Sequence, residues 1–194
     1  MYINEYPFDP DLKYLIYFRG NFGPPTRGHF SLVEKFIELE NVSYFIHQIG
    51  ERHGVPYKVN RKVFKIYLEK YSDKIILKKM ASSLEVLKYI EDVDVVIYLK
   101  GAEDAEPLTK HDGKNITKRM IKRYKPLIHK LKKRGIPLDF LYIDRPQKEK
   151  LSATKFTEAI SENSNNLRYF VPKHLTDSEF KYVISKLRKY IKKD

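Results

Sequence analysis

The sequence predicts an α/β protein built on a doubly wound parallel sheet of five strands, with helices at the C-terminal end. Three observations lead there. Five short apolar runs alternate with segments of helical period, the order expected when crossover helices join parallel strands. One run, Val95-Val96-Ile97-Tyr98-Leu99, is apolar without a break, as in a strand buried on both faces. The first apolar run passes through a Gly/Pro-rich turn straight into a helix-like run, the local unit of such folds.

The elements follow in order. Residues 1–12 read as an arm, aromatic and without a period, carrying Pro7 and Pro10. Residues 13–194 read as one domain whose C-terminal helical segment begins at about 152. The first strand covers about Tyr14–Arg19. The first helix starts between Thr26 and Gly28 and ends near Glu40. The second strand is Val42–Ile49, where Val42, Tyr44 and Ile46 alternate with Ser43, Phe45 and His47. Gly54 and Pro56 mark a loop after it. Asn60 is placed to cap a helix running to about Tyr71, with Val63, Phe64, Tyr67 and Leu68 at helical spacing.

Ile75-Ile76-Leu77 is the third strand. Ser82 or Ser83 then caps a helix with Leu84, Leu87 and Ile90 on one face. The fourth strand is Asp94–Leu99, followed by a polar loop over 101–114. From Asn115 to Arg134 the pattern is strongly amphipathic: Ile116, Met120, Tyr124, Leu127 and Leu131 share a face, and Lys and Arg fill most of the rest. Pro126 must kink or split that helix. The fifth strand is Asp139–Ile143, and residues 152–163 and 176–192 are helical.

Composition narrows the function classes. The 194 residues contain no cysteine, which excludes disulfides, thiol catalysis and thiolate metal sites. No apolar run approaches the roughly 20 residues of a membrane span, and the first residues lack a secretory pattern; an intracellular, cytoplasmic protein is expected. His47, His53, His111, His129 and His174 show no metal-ligand spacing, so no metal site is expected from them. The net charge of +13 reflects a Lys-rich composition first. Such a surface also draws nucleotides, and it would draw nucleic acid.

The chemistry concentrates at Gly20-Asn21-Phe22-Gly23-Pro24-Pro25-Thr26-Arg27-Gly28-His29. A strand, a Gly/Pro turn and a helix start present backbone N–H groups and a helix N-terminus, the geometry that takes a phosphate. In that setting Thr26 and His29, three apart, lie on one side of the first helical turn.

These ten residues fit the pattern G-x-F-x-P-x-[H/T]-x-G-H, and so resemble the first signature of the nucleotidylyltransferase superfamily. The Pro-Pro-Thr form is most similar to nicotinamide or nicotinate mononucleotide adenylyltransferases. Leu151-Ser152-Ala153-Thr154-Lys155-Phe156-Thr157 resembles the family's second signature, I-S-S-T-x-I-R. Asn166–Pro172 resembles the V-R-Y-L-V-P stretch after it, and Gly101-Ala102-Glu103-Asp104 is similar to the family's G-A-D. Three features depart from the family pattern. Thr157 replaces an Arg that grips the triphosphate, Glu103 stands where Asp is usual, and the chain has no Trp.

The resemblance implies a Rossmann-like fold of the nucleotidylyltransferase type. It implies transfer of a nucleotidyl group from ATP to a phosphate-bearing acceptor, nicotinamide or nicotinate mononucleotide, with release of pyrophosphate, a step of NAD biosynthesis. It implies catalytic roles for His29, Thr26 and Lys155. Nucleotide contacts fall to Gly20, Asn21, Phe22, Gly28, His29, Gly101, Glu103, Asp104, Ser152 and Thr154. Arg52, Lys58 and Arg61 are candidate acceptor contacts. Mg²⁺ would enter with the triphosphate rather than on a protein cage. The family often forms symmetric oligomers. Two alternatives stay open: cytidylyl or other nucleotidyl transfer to a different phosphate ester, and a catalytically weak nucleotide- or RNA-binding protein on the same fold.

Overall fold

Five parallel strands lie side by side in the order β3-β2-β1-β4-β5 in the computed structural model, which describes residues 5–79, 83–101, 122, 124–143 and 151–191. They are β1 (Tyr14–Phe22), β2 (Val42–Ile49), β3 (Ile75–Lys79), β4 (Val95–Gly101) and β5 (Leu138–Ile143). The chain winds outward from β1 through β2 to β3, then returns to lay β4 on the other side of β1. Strand order therefore reverses between β1 and β4. That reversal opens a crevice beyond the strand C-termini, where ligands bind in sheets of this kind.

Helices cover both faces. On one face lie α1 (Arg27–Ile37), α2 (Tyr57–Tyr67), α4 (Ala153–Ser161) and α5 (Asp177–Arg188). Their buried residues recur at three- and four-residue spacing: Phe30, Val33 and Ile37 in α1, Val63, Phe64 and Tyr67 in α2, Phe156 and Ile160 in α4, Val183, Ile184 and Leu187 in α5. They share a core with Phe18, Phe45 and Ile97 of the sheet. The opposite face is covered by a 3-10 turn, Ser83–Tyr89, and by α3, helical over 124–132, through Val86, Tyr124, Leu127 and Leu131. Each fully buried Phe or Leu in these layers contributes about 1.5–3 kcal/mol.

The two-sided cover changes the reading of β2. Phe45 and His47 enter one core layer and Ile46 the other, so the alternation there is between two interiors, not between core and water. Other boundaries also move. Strand β1 runs through Gly20 to Phe22, and Phe22 pairs with Ile49 after a register shift. Helix α2 begins at Tyr57, behind Pro56, which stands at the N-cap with extended backbone and offers no side-chain cap. Asn60 is therefore inside the first turn and is not a cap. Its buried amide nitrogen instead donates to the carbonyls of Gly50 (3.0 Å) and Val55 (3.2 Å), closing the loop after β2. The segment Ser83–Tyr89 forms a 3-10 turn where an α-helix was expected. Pro126 sits within the helical residues 124–132; most of the amphipathic stretch before it lies outside the described residues.

The arm is fastened to the domain at the N-terminal ends of the strands. Tyr6 donates to Asp139 Oδ2 at 2.6 Å, and Tyr6, Phe8 and Tyr14 meet edge to face. Asn41 donates to the Asp9 carbonyl, and the Asp9 N–H donates to the Tyr14 hydroxyl, both at 2.9 Å. Among the described residues no helix is long and apolar enough to cross a membrane.

Candidate active site

The first predicted segment forms the end of β1, the turn after it and the start of α1. Packing alone requires glycine at position 20: a Cβ there would lie 2.2 Å from the Phe22 ring. The Phe22 ring is buried with its centroid 4.7 Å from Phe18, 4.6 Å from His47 and 4.9 Å from His29. It forms an apolar bed under the His29 imidazole. His47 is fully buried within this aromatic group, against Phe64 as well.

His29 occupies the third position of α1 and turns its ring back on the helix start. Its Nδ1 accepts the backbone N–H of Thr26 at 3.1 Å and lies 3.3 Å from the Thr26 hydroxyl. This is the reverse arm of a capping box, with His in the place that Glu or Gln usually fills. The consequence is chemical. A ring nitrogen that accepts a backbone N–H carries no proton, so the neutral ring holds its proton on Nε2 and presents a donor there. Thr26 itself is fully buried. Its hydroxyl lies in the interior beside His29 Nδ1, where Thr26 orients the imidazole.

Gly28 brings the second predicted segment to the first. A Cβ at Gly28 would stand 3.3 Å from Leu151 Cβ and 3.7 Å from the Leu151 carbonyl oxygen. Leu151 immediately precedes Ser152, the N-cap of α4, whose hydroxyl accepts the Lys155 N–H at 3.1 Å. Two helix N-termini thus meet at the C-terminal edge of the sheet, each carrying partial positive charge from its unpaired N–H groups. Thr154 and Lys155 are exposed on the first turn of α4. Ser152 is partly exposed, so its hydroxyl serves as a cap beside open solvent.

Thr157 departs from the resemblance in burial as well as in charge. It is 8% exposed and its hydroxyl donates to the Thr154 carbonyl at 2.7 Å. A long cation placed at 157 would begin from an interior position. Glu103, Asp104 and the side chain of Asn21 lie outside the described residues, and Gly101 ends β4.

Of the acceptor candidates, Lys58 and Arg61 lie three residues apart on α2, and Arg52 lies in the loop before it. Arg52 is exposed at a tight turn in which His53 and Gly54 both have positive φ, 53° and 72°, and Val55 N–H donates to the Arg52 carbonyl at 3.1 Å. Burial, and then the Arg52 charge, lowers the His53 pKa against the opposing pull of Glu158. Lys58 and Arg61 are exposed on α2, and no carboxylate pairs with them among the described residues. The helix that carries Lys58 and Arg61 packs beside the first segment: the Phe64 ring lies 6.4 Å from His29, and Asn60 faces Gly23.

An open groove of about 530 Å³ runs along the outer side of α4, lined by Lys155, Glu158, Glu162, Asn166, Tyr169 and Phe170. Of the expected site residues it shares only Lys155, expected to be catalytic, and none of the expected nucleotide contacts. Its two carboxylates would repel a triphosphate, so the groove is not the phosphate site. Among the described residues no group of three or more His, Asp or Glu side chains could hold a metal ion.

Sequence reasoning missed two contributors. The resemblance names Phe22 as a nucleotide contact, but nothing in the sequence places its ring beneath His29. Leu151, which joins the two segments, was read only as a flank of Ser152. The signal for both was size: a glycine opposite a large apolar residue.

No family model and no curated protein sequence matches the chain. Solved structures do. Plasmodium falciparum nicotinic acid mononucleotide adenylyltransferase complexed with NaAD aligns over 92% of this chain and 98% of its own, at 14% identity and a TM-score of 0.56. The same enzyme complexed with APC aligns over the same shares at 14% identity, with a TM-score of 0.58. Thermotoga maritima TmcAL bound with alpha-thio ATP aligns over 93% of this chain and 57% of its own, at 13% identity and a TM-score of 0.51. At such identities the likeness speaks to the backbone. The order of its strands, its two-sided helical cover and these alignments together give the chain the Rossmann-like fold of the nucleotidylyltransferases.

Proposed function

We propose that the chain is a nucleotidyltransferase that moves an adenylyl group from ATP to a phosphate-bearing acceptor, nicotinate or nicotinamide mononucleotide, in a step of NAD biosynthesis. The observation that carries the reading is the contact of Gly28 with Leu151, which sets the N-termini of α1 and α4 against each other at the crevice. Two such ends favour a ligand with several negative charges. The adenylyltransferase named above, similar in fold in both of its complexes, supports the choice of reaction.

In this reading an oxygen of the acceptor phosphate attacks the α-phosphorus of ATP. A bond forms there, the bond from the α-phosphorus to the bridging oxygen breaks, and pyrophosphate leaves. A phosphate monoester has a second pKa of about 6, so the attacking oxygen is largely ionised at neutral pH and needs no general base. What remains is to hold two anions together and to meet the charge that grows on the leaving group. His29 supplies an Nε2–H donor fixed by Thr26. The N-terminal amides of α4, with Ser152, Thr154 and Lys155, receive the β- and γ-phosphates. Mg²⁺ would be held by the phosphates themselves and would neutralise part of their charge; the described side chains offer no cage of their own.

The test is to incubate the protein with ATP or CTP, Mg²⁺ and a panel of phosphate-bearing acceptors, and to follow pyrophosphate. ATP-dependent release with a pyridine mononucleotide supports the reading. Release only with CTP and another phosphate ester would move the assignment to a cytidylyltransferase. A second reading rests on the net charge of +13: RNA binding on the same fold, without the reaction. It requires an RNA affinity that falls steeply with salt and no pyrophosphate with any acceptor.

A further inference from the structure

Arg19 stands one residue before Gly20, near the C-terminal end of β1, beside the crevice where β1 and β4 part. It points with Tyr17 to the α3 side of the sheet, since alternate residues of a strand share a face. That is the face opposite α1 and His29. Its guanidinium is half-buried, and Nη1 donates to the Tyr124 hydroxyl at 3.0 Å. Tyr124 is 2% exposed and is itself locked by Tyr98 (4.7 Å between ring centroids) and Phe140 (5.9 Å). Burial is the largest single influence and opposes the charge on Arg19, but the Tyr124 hydrogen bond and the electrostatic pull of Tyr124, Tyr17 and Tyr98 together outweigh it and the pKa is raised.

Among the described residues Tyr124 is the hydrogen-bond partner of Arg19, and no carboxylate pairs with it. A half-buried cation held by a phenol and by no carboxylate is unusual for a purely structural role. A charge taken partly out of water is normally matched by an opposite charge. One N–H of five is used, and the planar fork suits a carboxylate or a phosphate. A rigid aromatic group fixes the fork in place before any ligand arrives, which lowers the ordering cost of binding.

Resting on the reading of the site as a nucleotidyltransferase, we propose that Arg19, positioned by Tyr124, binds an anionic group of the acceptor. The placement divides the labour. The triphosphate would lie at the N-termini of α1 and α4, on one side of the strand ends. The acceptor's anion would lie on the other side, and the two substrates would meet across the β1–β4 crevice. The anion is either the carboxylate of a pyridine acid or the acceptor's phosphate; both are met by the same fork.

The test uses the full chain and the variants Arg19→Gln, Arg19→Lys and Tyr124→Phe. Each is titrated calorimetrically with nicotinate mononucleotide, nicotinamide mononucleotide and ATP·Mg²⁺. Loss of a charge-assisted hydrogen bond should weaken nicotinate mononucleotide binding by about 10- to 100-fold in Arg19→Gln, with ATP affinity within about twofold of wild type. If the carboxylate is the group bound, nicotinamide mononucleotide binding stays unchanged; if the phosphate is, both mononucleotides weaken together. Arg19→Lys keeps the charge without the fork and should fall between, and it replaces the Gln variant should that one fail to fold. Tyr124→Phe, a positioning change, should raise KM for the acceptor and leave kcat alone. Unchanged binding of both mononucleotides in Arg19→Gln, or a loss confined to ATP, overturns the proposal. Absence of pyrophosphate release in wild type would remove the reaction while the binding titrations still judge Arg19.

Discussion

Replacing Gly20 with alanine puts the account of the first segment to a quantitative test. The φ of Gly20 lies outside the left-handed region, so alanine meets no backbone strain there. On backbone grounds alone Gly→Ala would stabilise by about 0.4–1 kcal/mol, through a less flexible unfolded chain. The packing says the opposite. The new Cβ would lie 2.2 Å from Phe22 Cε2 and 2.4 Å from Cζ. Carbon atoms rest at about 3.5–4.0 Å, so the ring must retreat by more than about 1 Å. It cannot retreat freely, because Phe18, His29 and His47 surround it. Overpacking of this kind costs about 1–3 kcal/mol, which exceeds the backbone gain. Urea unfolding should therefore show Gly20→Ala destabilised by about 1–2 kcal/mol, after the backbone gain is set against the strain. Phe22→Leu alone should cost about 1 kcal/mol, and the double variant should recover part of the alanine penalty, a coupling of at least about 0.5 kcal/mol. Equal or greater stability in Gly20→Ala, or strict additivity in the double variant, would refute the placement of the ring over the glycine.

Other expectations can be checked with the same preparations. His29→Ala should lower turnover by about 10²–10³-fold, as for loss of one charge-stabilising donor, while His29→Gln should lose turnover similarly but keep the melting temperature, since Gln can still fill the capping box; a His29→Gln variant of full activity would remove the imidazole from the mechanism. Asn60→Ala leaves the buried carbonyls of Gly50 and Val55 without their donor and should destabilise by about 1–3 kcal/mol in urea unfolding. Burial raises the pKa of Tyr67, and burial followed by the Asp139 hydrogen bond raises that of Tyr6. A raised phenol pKa gives stability that is complete below the unfolded value of about 10 and is lost as pH climbs toward the folded value. Stability should therefore be flat with respect to these groups below about pH 9 and fall above 10, and Tyr67→Phe should show a shallower fall, by up to about 1.4 kcal/mol per pH unit; an unchanged alkaline slope in that variant would contradict the assignment.

The sheet was legible because its determinants are local. A short, unbroken apolar run rich in β-branched residues, such as Val95–Leu99, reads as a buried strand, and Gly, Pro and capping residues at Gly20–His29 punctuate the chain where strand becomes helix. The site was legible in its members more than in their work. Thr26 and His29 are close because they are three apart on a helix, yet which nitrogen faces inward depends on a ring rotation that spacing does not fix. Gly20 and Asn60 were given other roles for the same reason. Each serves a neighbour that folding brings to it: the returning ring of Phe22 for one, the carbonyls of the loop after β2 for the other. Thr157 could be seen to lack a cation, but its burial follows from how α4 rotates onto the core, with Phe156 and Ile160 inward. Arg19 escaped notice because it ends an apolar strand, where a charge has meaning only once the reversal between β1 and β4 is known.

Backbone amide chemical shifts recorded while ATP·Mg²⁺ is added test the convergence of the two helix starts most directly. Residues 22–29 and 151–155 should shift together along one saturation curve, because both segments would hold the same ligand. Shifts confined to one segment, or centred on the groove beside Glu158 and Glu162, would contradict it.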